Sequence, residues 1–274
     1  MLAHIDLSPP SCHHARIMPE FLYIPAFADN YIWLASNPGA RQVAIVDPGD
    51  ATPVLTYLES HRLEPLAILI THHHLDHTGG IAELVARYDT PVYGSAQEPI
   101  PGLTHPVKEG EQIHLPQLDL ELTVMDIPGH TRGHVGYLGH DALFCGDTLF
   151  TAGCGRIFDG TPEQMHNSLN RIAALPEDTL VYCAHEYTAD NLRFARVVEP
   201  DNQAILARIE KVAEYRAQNK ATVPANLQEE LMTNPFLRWD IPAVVLAAEE
   251  FAQRKLRNGA EVFATLRYWK DTLD

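Results

Sequence analysis

Thr71–His77 reads THHHLDH and follows directly on the apolar run Leu66–Ile70. A run of that length and composition is a buried strand, so the seven residues leave the sheet at its end. On extended chain, residues two apart point the same way. His72 and His74 can therefore meet one metal ion, while Asp76 and His77 turn toward another. Nitrogen and carboxylate donors of this kind suit zinc, iron or manganese. Any one of the 15 histidines taken alone reads as structural. The HxHxDH spacing after a strand reverses that reading.

Outward from this loop, three further donors stand at matching places. His130 follows a strand ending near Ile127, Asp147 follows Ala142–Cys145, and His185 follows Thr179–Cys183. Four strand ends can deliver their side chains to one edge of a sheet, which builds a site on rigid elements. Other short runs, Tyr31–Ala35 and Val43–Val46, also have strand length. Leu118, Leu120, Leu122 and Val124 alternate as in a half-buried strand. Ile81, Leu84, Val85 and Tyr88 recur at the spacing of an amphipathic helix.

After about Glu186 the texture becomes helical, as in Ile205, Ile209 and Val212. Asp240 before Ile241 and Pro242 reads as a helix start and Asn258 with Gly259 as its stop, before a last helix toward Lys270. An α/β fold is expected, with residues 18–185 as a catalytic domain and 186–274 as a helical one. Residues 1–17, with two adjacent prolines and little periodicity, read as a loose extension or the product of an upstream start codon.

Twenty Lys and Arg against 36 Asp and Glu leave a net charge of −16. That field repels nucleic acid and anionic membrane, so neither is an expected partner, and an anionic substrate needs a local basic cluster. Cys12, Cys145, Cys154 and Cys183 show no CxxC pairing, and three of them sit in or beside strand-like runs. Reduced thiols of this kind fit the cytoplasm. No run of 18 apolar residues and no charged-then-apolar leader is present in the sequence.

Seven segments resemble the metallo-β-lactamase superfamily and, within it, the hydroxyacylglutathione hydrolases, or glyoxalase II family. They are IPAFADNYIWL (24–34), IVDPGD (45–50), THHHLDHTGG (71–80), PGHTRGH (128–134), GDTLFTAGCGR (146–156), CAHEYT (183–188) and NPFLR (234–238). The resemblance implies a four-layer αββα sandwich with a C-terminal helical, substrate-binding domain. It also implies two divalent metal ions, with zinc expected first and iron or manganese as alternatives. His72, His74 and His130 would hold one ion and Asp76, His77 and His185 the other, with Asp147 bridging. His73 and His134 match positions that are not ligands and read as hydrogen-bonding supports. Asp47 is a candidate acceptor behind a ligand histidine, with a turn role as the alternative.

The implied activity is hydrolysis of S-(2-hydroxyacyl)glutathione thioesters, chiefly S-D-lactoylglutathione to glutathione and D-lactate, as in methylglyoxal detoxification. A metal lowers the pKa of its water from about 15.7 toward about 7. The expected nucleophile is therefore a bridging hydroxide, with Asp76 and Asp147 as the catalytic carboxylates. Glutathione contacts implied by the family are Arg156, Phe158, Tyr187, Arg267 and Lys270. Some relatives carry Lys in place of Arg156 and Tyr in place of Phe158, which puts the peptide contacts in question. The protein is expected to act as a monomer on a small-molecule substrate. Two alternatives share the motif: a glutathione persulfide dioxygenase with one iron on His72, His130 and Asp147, and another dinuclear hydrolase such as a lactonase.

Overall fold

The computed structural model describes residues 19–273. The expectations for residues 1–17, Cys12 among them, lie outside the described residues. The chain opens with β1 (Glu20–Ala26), β2 (Asn30–Ser36) and β3 (Gln42–Val46), then crosses α1 (Ala51–His61) to β4 (Glu64–Ile70). After α2 (Leu75–Thr78) and α3 (Ile81–Tyr88), β5 (Val92–Ser95) and β6 (His105–Val107) complete a sheet in the order β1-β2-β3-β4-β5-β6.

A second sheet begins with β7 (Gln112–Leu115), β8 (Leu120–Asp126), β9 (Val135–Gly139) and β10 (Ala142–Gly146). A small hairpin, β11 (Leu149–Phe150) and β12 (Gly153–Cys154), then leads to α4 (Pro162–Ala173) and β13 (Leu180–Cys183). The remaining elements are α5 (Thr188–Val198), α6 (Gln203–Ala217), β14 (Ala225–Asn226), α7 (Leu227–Thr233), α8 (Pro242–Ala252) and α9 (Gly259–Asp271). The second sheet runs β14-β13-β10-β9-β8-β7.

The inner strands β2, β3 and β4 of the first sheet are almost wholly apolar because both their faces are covered. Trp33, Ala35, Ala44, Val46, Ala67 and Leu69 face the second sheet. The alternate residues Ile32, Leu34, Val43, Ile45, Ile68 and Ile70 pack with Val54 and Leu58 of α1 and Ile81 and Leu84 of α3. On the far side, Met165, Leu169 and Ile172 of α4 join the inter-sheet core, giving the αββα order. Two hydrogen bonds stitch the sheets: Tyr137 Oη donates to Ile70 O at 2.6 Å, and Trp33 Nε1 to Cys183 O at 2.9 Å.

The structure departs from the sequence reading in three places. Leu118 lies in a 3-10 turn, Pro116–Leu118, so the alternating strand starts at Leu120. α8 has Ile241 as its N-cap and ends at Ala252, with Gln253 in the left-handed region. Asn258 therefore does not stop that helix; its side chain accepts the Glu261 N–H and starts α9. Finally, the helical region returns one short strand, β14, to pair with β13.

Candidate metal centre

All four strand ends named from the sequence meet at one rim of the sandwich. His72 follows β4, Asp147 follows β10, His185 follows β13, and His130 sits in the loop between β8 and β9. Ligating atoms fall into three sets, each within 4.8 Å: His72, His74 and His130; Asp76, His77 and His185; and His72, His77 and Asp147. The third set shares His72 with the first and His77 with the second, and adds Asp147. Asp147 Oδ1 lies 3.4 Å from His77 Nε2 and 3.5 Å from His185 Nε2, while Oδ2 lies 3.5 Å from His130 Nε2.

Three imidazoles are held from behind, so that one ring nitrogen faces inward. His130 Nδ1 pairs with Arg156 O at 2.7 Å, and His185 Nδ1 with Asp29 Oδ1 at 2.8 Å. His77 Nδ1 lies 3.1 Å from Asp47 Oδ2, a charge contact not aligned as a hydrogen bond. Asp47 also accepts the Thr71 N–H at 2.8 Å and the Thr71 hydroxyl at 2.7 Å. It does this from a left-handed backbone, φ 52°. Asn30 Nδ2 donates to Asp76 Oδ2 at 3.1 Å. Gly146, at φ +49°, passes so close that a Cβ there would meet Thr71 Oγ1 at 2.4 Å.

His73 and His134 stay outside the donor sets. His73 Nδ1 contacts the Glu98 carboxylate. His134 stacks on His72, and its Nε2 accepts the Asp147 N–H at 3.2 Å.

Charge divides the site. Burial and the neighbouring His77 hold His72 well below the ordinary histidine range. Burial likewise lowers His74 and His130. These three rings are neutral lone-pair donors. Burial would also lower His77, but Asp147 and Asp47 outweigh it and push it up to about 10. His185 is pushed up to about 11 in the same way, with Asp147 as the main opposing cause. Burial would raise Asp147, yet His185 and His77 hold it well below the carboxylate range. The carboxylates thus draw positive charge into a buried spot.

Three buried inward atoms, His72 Nε2, His77 Nε2 and Asp147 Oδ1, lack a hydrogen-bond partner. Each such atom costs about 1–3 kcal/mol when left unpaired. Three together, among neutral imidazoles and ionised carboxylates, fit divalent metal ions rather than a packed core.

The cleft beside the donors has a volume of about 480 Å³ and includes Arg156, Phe158, Tyr187, Arg267 and Lys270 in its wall. Phe158, 66 % exposed, sets its edge against the His74 and His130 rings. Tyr187 stacks flat on His185, and Phe150 meets both edge-on. Arg267 is buried: Nη1 donates to Cys154 O and Nη2 to Asp271 Oδ1, both at 2.9 Å. Arg156 Nε lies 3.8 Å from the same Asp271 oxygen. Glu98, Asp29, Asn30 and Phe150 were not anticipated. Asp29 ends the turn between β1 and β2 and Asn30 opens β2, where Asp and Asn are ordinary residues and carry no separate signal.

This fold and site define a protein of the metallo-beta-lactamase superfamily, whose pattern residues 28–185 match. The BLEG-1 B3 metallo-beta-lactamase has the same fold, with a TM-score of 0.61 at 24% identity, covering 80% of this chain and 99% of that one. TTHA1623 in a di-iron-bound form gives a TM-score of 0.52 at 29% identity, covering 59% and 90%. Residues 186–273 match the C-terminus of hydroxyacylglutathione hydrolases. A hydroxyacylglutathione hydrolase of Nitrosomonas europaea is 53% identical over 90% of this chain and 94% of its own length. The chain belongs to the hydroxyacylglutathione hydrolase family.

Proposed function

We propose that this protein hydrolyses S-(2-hydroxyacyl)glutathione thioesters, chiefly S-D-lactoylglutathione, to glutathione and the free 2-hydroxy acid. The observation that carries the reading is the convergence of seven candidate donors from distant stretches of chain into three overlapping sets, one of which brings Asp147 together with His72 and His77. His72, His74 and His130 would hold one divalent ion, Asp76, His77 and His185 the second, and Asp147 both. Bound there, the ions would supply Lewis acidity and make water a nucleophile at neutral pH. Zinc is the proposed metal; iron and manganese accept the same donors.

The chain's own groups do the rest. Asp76, braced by Asn30, accepts a hydrogen bond from the attacking water and orients it toward the thioester carbonyl. Asp147, which His185 and His77 keep ionised before metal binds, would be kept ionised by the cations once those rings give up their protons. Water oxygen bonds to the acyl carbon, the carbon–sulfur bond breaks with its electron pair on sulfur, and of water's two protons one ends on the released thiolate and the other passes to solvent. The thiolate's conjugate acid has a pKa of about 8.5, so the leaving group requires no dedicated acid. Arg156 and Lys270 receive the glutathione carboxylates, Tyr187 and Phe158 flank the thioester, and Arg267 anchors this wall through Cys154 and Asp271. Tyr187, Arg267 and Lys270 bring residues 186–274 into this wall, and this reading assigns that region to substrate binding.

Every donor and the whole cleft lie in one chain, so the proposed active unit is a monomer. Cys145, Cys154 and Cys183 are buried and free, which supports a reducing, cytoplasmic setting. A one-iron dioxygenase would use His72, His130 and Asp147 and leave Asp76, His77 and His185 gathered for no purpose. Elemental analysis combined with a thioesterase assay on S-D-lactoylglutathione tests the proposal. Two ions per chain and chelator-sensitive release of free thiol are expected; one ion, or no thiol release, refutes it.

A further inference from the structure

We infer that Glu98 is a positioning residue for the first cation site, fixing the separation of the two loops that supply His72, His74 and His130. The inference rests on the two-ion reading above. Glu98 belongs to neither donor set, yet its side chain is only 2 % exposed and accepts from both loops. Oε2 takes the His73 backbone N–H at 2.9 Å and contacts His73 Nδ1. Oε1 takes the Thr131 hydroxyl and the Gly133 N–H, both at 2.8 Å. His73 lies between His72 and His74, and Thr131 follows His130. One oxygen therefore holds each loop, and the rigid carboxylate sets the distance between them.

Glu98 is itself anchored on a third element, the turn that leaves β5. Its N–H donates to Ser95 O at 3.2 Å, the Gln97 N–H donates to Ser95 Oγ at 3.2 Å, and the Ile100 N–H donates to Glu98 O at 2.8 Å. The approach is close: a Cβ on Gly133 would meet Glu98 Oε1 at 2.9 Å, so Gly133 leaves room for the carboxylate. The result is visible at the site, where His74 Nδ1 and His130 Nε2, from different loops, stand 3.0 Å apart. All the partners of Glu98 can donate, and two are backbone N–H groups that can do nothing else. An amide in its place would turn an NH₂ group onto one of them.

A carboxylate that only stabilised the fold would leave the relative affinity of the two ion sites unchanged. Positioning instead weakens one site selectively, because loss of a group that orients a metal ligand typically costs about 10- to 100-fold in affinity. Metal-stripped wild type and Glu98→Gln are titrated with zinc against a chromophoric chelator, with the melting temperature of the metal-free forms measured alongside. His74→Ala, which keeps only the second set intact, identifies that set's constant. Expected for Glu98→Gln is a loss of about 10- to 100-fold at the first site, with the second changed by no more than a few-fold. Thr131→Val, which deletes one donor and keeps the side-chain shape, is expected to weaken the same site by less. It decides the matter if Glu98→Gln does not fold. Equal losses at both sites, or a lowered melting temperature with both constants intact, overturn the inference. Wild type that binds no zinc would sink the functional reading and this inference together; wild-type binding matched by both variants would sink the Glu98 inference alone.

Discussion

His77 and His185 differ from the other ligand imidazoles in being pressed between carboxylates, and that difference has a measurable consequence. With pKa values pushed up to about 10 and about 11, both rings are protonated at neutral pH before metal arrives. A cation takes the lone pair only after the proton leaves, so uptake releases protons and apparent affinity falls as pH falls. Calorimetric titration at one pH in two buffers of different ionisation enthalpy should give different heats. Identical heats would show that no proton is displaced. Substitutions should separate metal from substrate: His74→Ala is expected to lose the ion of the first set, and activity with it, whereas Lys270→Ala chiefly raises KM. An unchanged KM for S-lactoylglutathione in Lys270→Ala would remove that residue from the docking wall. Four of the candidate donors were legible in the HxHxDH spacing, and His130, Asp147 and His185 in their places after strand-like runs and in the family resemblance. Glu98 and Asp29 were not, since an acidic residue in a loop looks the same whether it meets solvent or the loops and side chains of a site.

Between residue and molecule, the hairpin of β11 and β12 shows how the helical region reaches into the site. It follows Asp147, carries Phe150 against His185 and Tyr187, and leads to Arg156. Its turn is gripped by side chains from the helices: Asn191 Nδ2 donates to Thr151 O at 3.0 Å, and Glu230 Oε2 accepts the Ala152 N–H at 2.8 Å. Asn234 Nδ2 donates to Phe150 O at 3.2 Å and Gly153 O at 2.9 Å. Glu230 is fully buried and paired with buried Arg208. Asn234→Ala strands two buried carbonyls and should cost about 2–4 kcal/mol, each lost bond contributing about 1 and each orphan more. Urea unfolding should show a lower midpoint with an unchanged slope. A loss below about 1 kcal/mol would mean that water replaces the amide. Strands such as Leu66–Ile70 were legible because burial on both faces writes an unbroken apolar run. The hairpin was not: its two-residue strands are too short for any period, and its partners lie more than 30 residues away. The end of α8 was misplaced for a related reason, because Asn258 and Gly259 suit a helix start as well as a helix stop, and only the Glu261 N–H decides between them.

At the scale of the whole molecule, the proposed ion sites lie on the seam between two sheets. His72, His74, Asp76 and His77 come from the end of the first sheet, and His130, Asp147 and His185 from the second. The two sheets also share one apolar cluster, which takes in Phe194, Phe236, Phe263 and Leu266 of the helical region as well as Leu143, Phe144 and Val181 of the second sheet. The amphipathic spacing of the helices showed that they bury a face. Which sheet they cover depends on contacts between distant residues and could not be read from the spacing. With this core intact, metal removal should leave the protein folded, unlike a small domain whose only core is its metal. It should nevertheless be less stable, because an ion that binds only the folded state adds about 4 kcal/mol per site when free metal is about 1,000 times its dissociation constant. For a chain of this size each kcal/mol moves the melting temperature by about 2–4 °C, so stripping one such site should lower it by roughly 8 °C or more. Far-UV circular dichroism before and after chelation, followed by thermal scans, checks both halves. Retained secondary structure with a lowered melting temperature fits cations bridging two sheets that already hold together. Collapse of the signal would mean that the core alone cannot hold the sheets together, and an unchanged melting temperature would mean that the seam carries no bound ion.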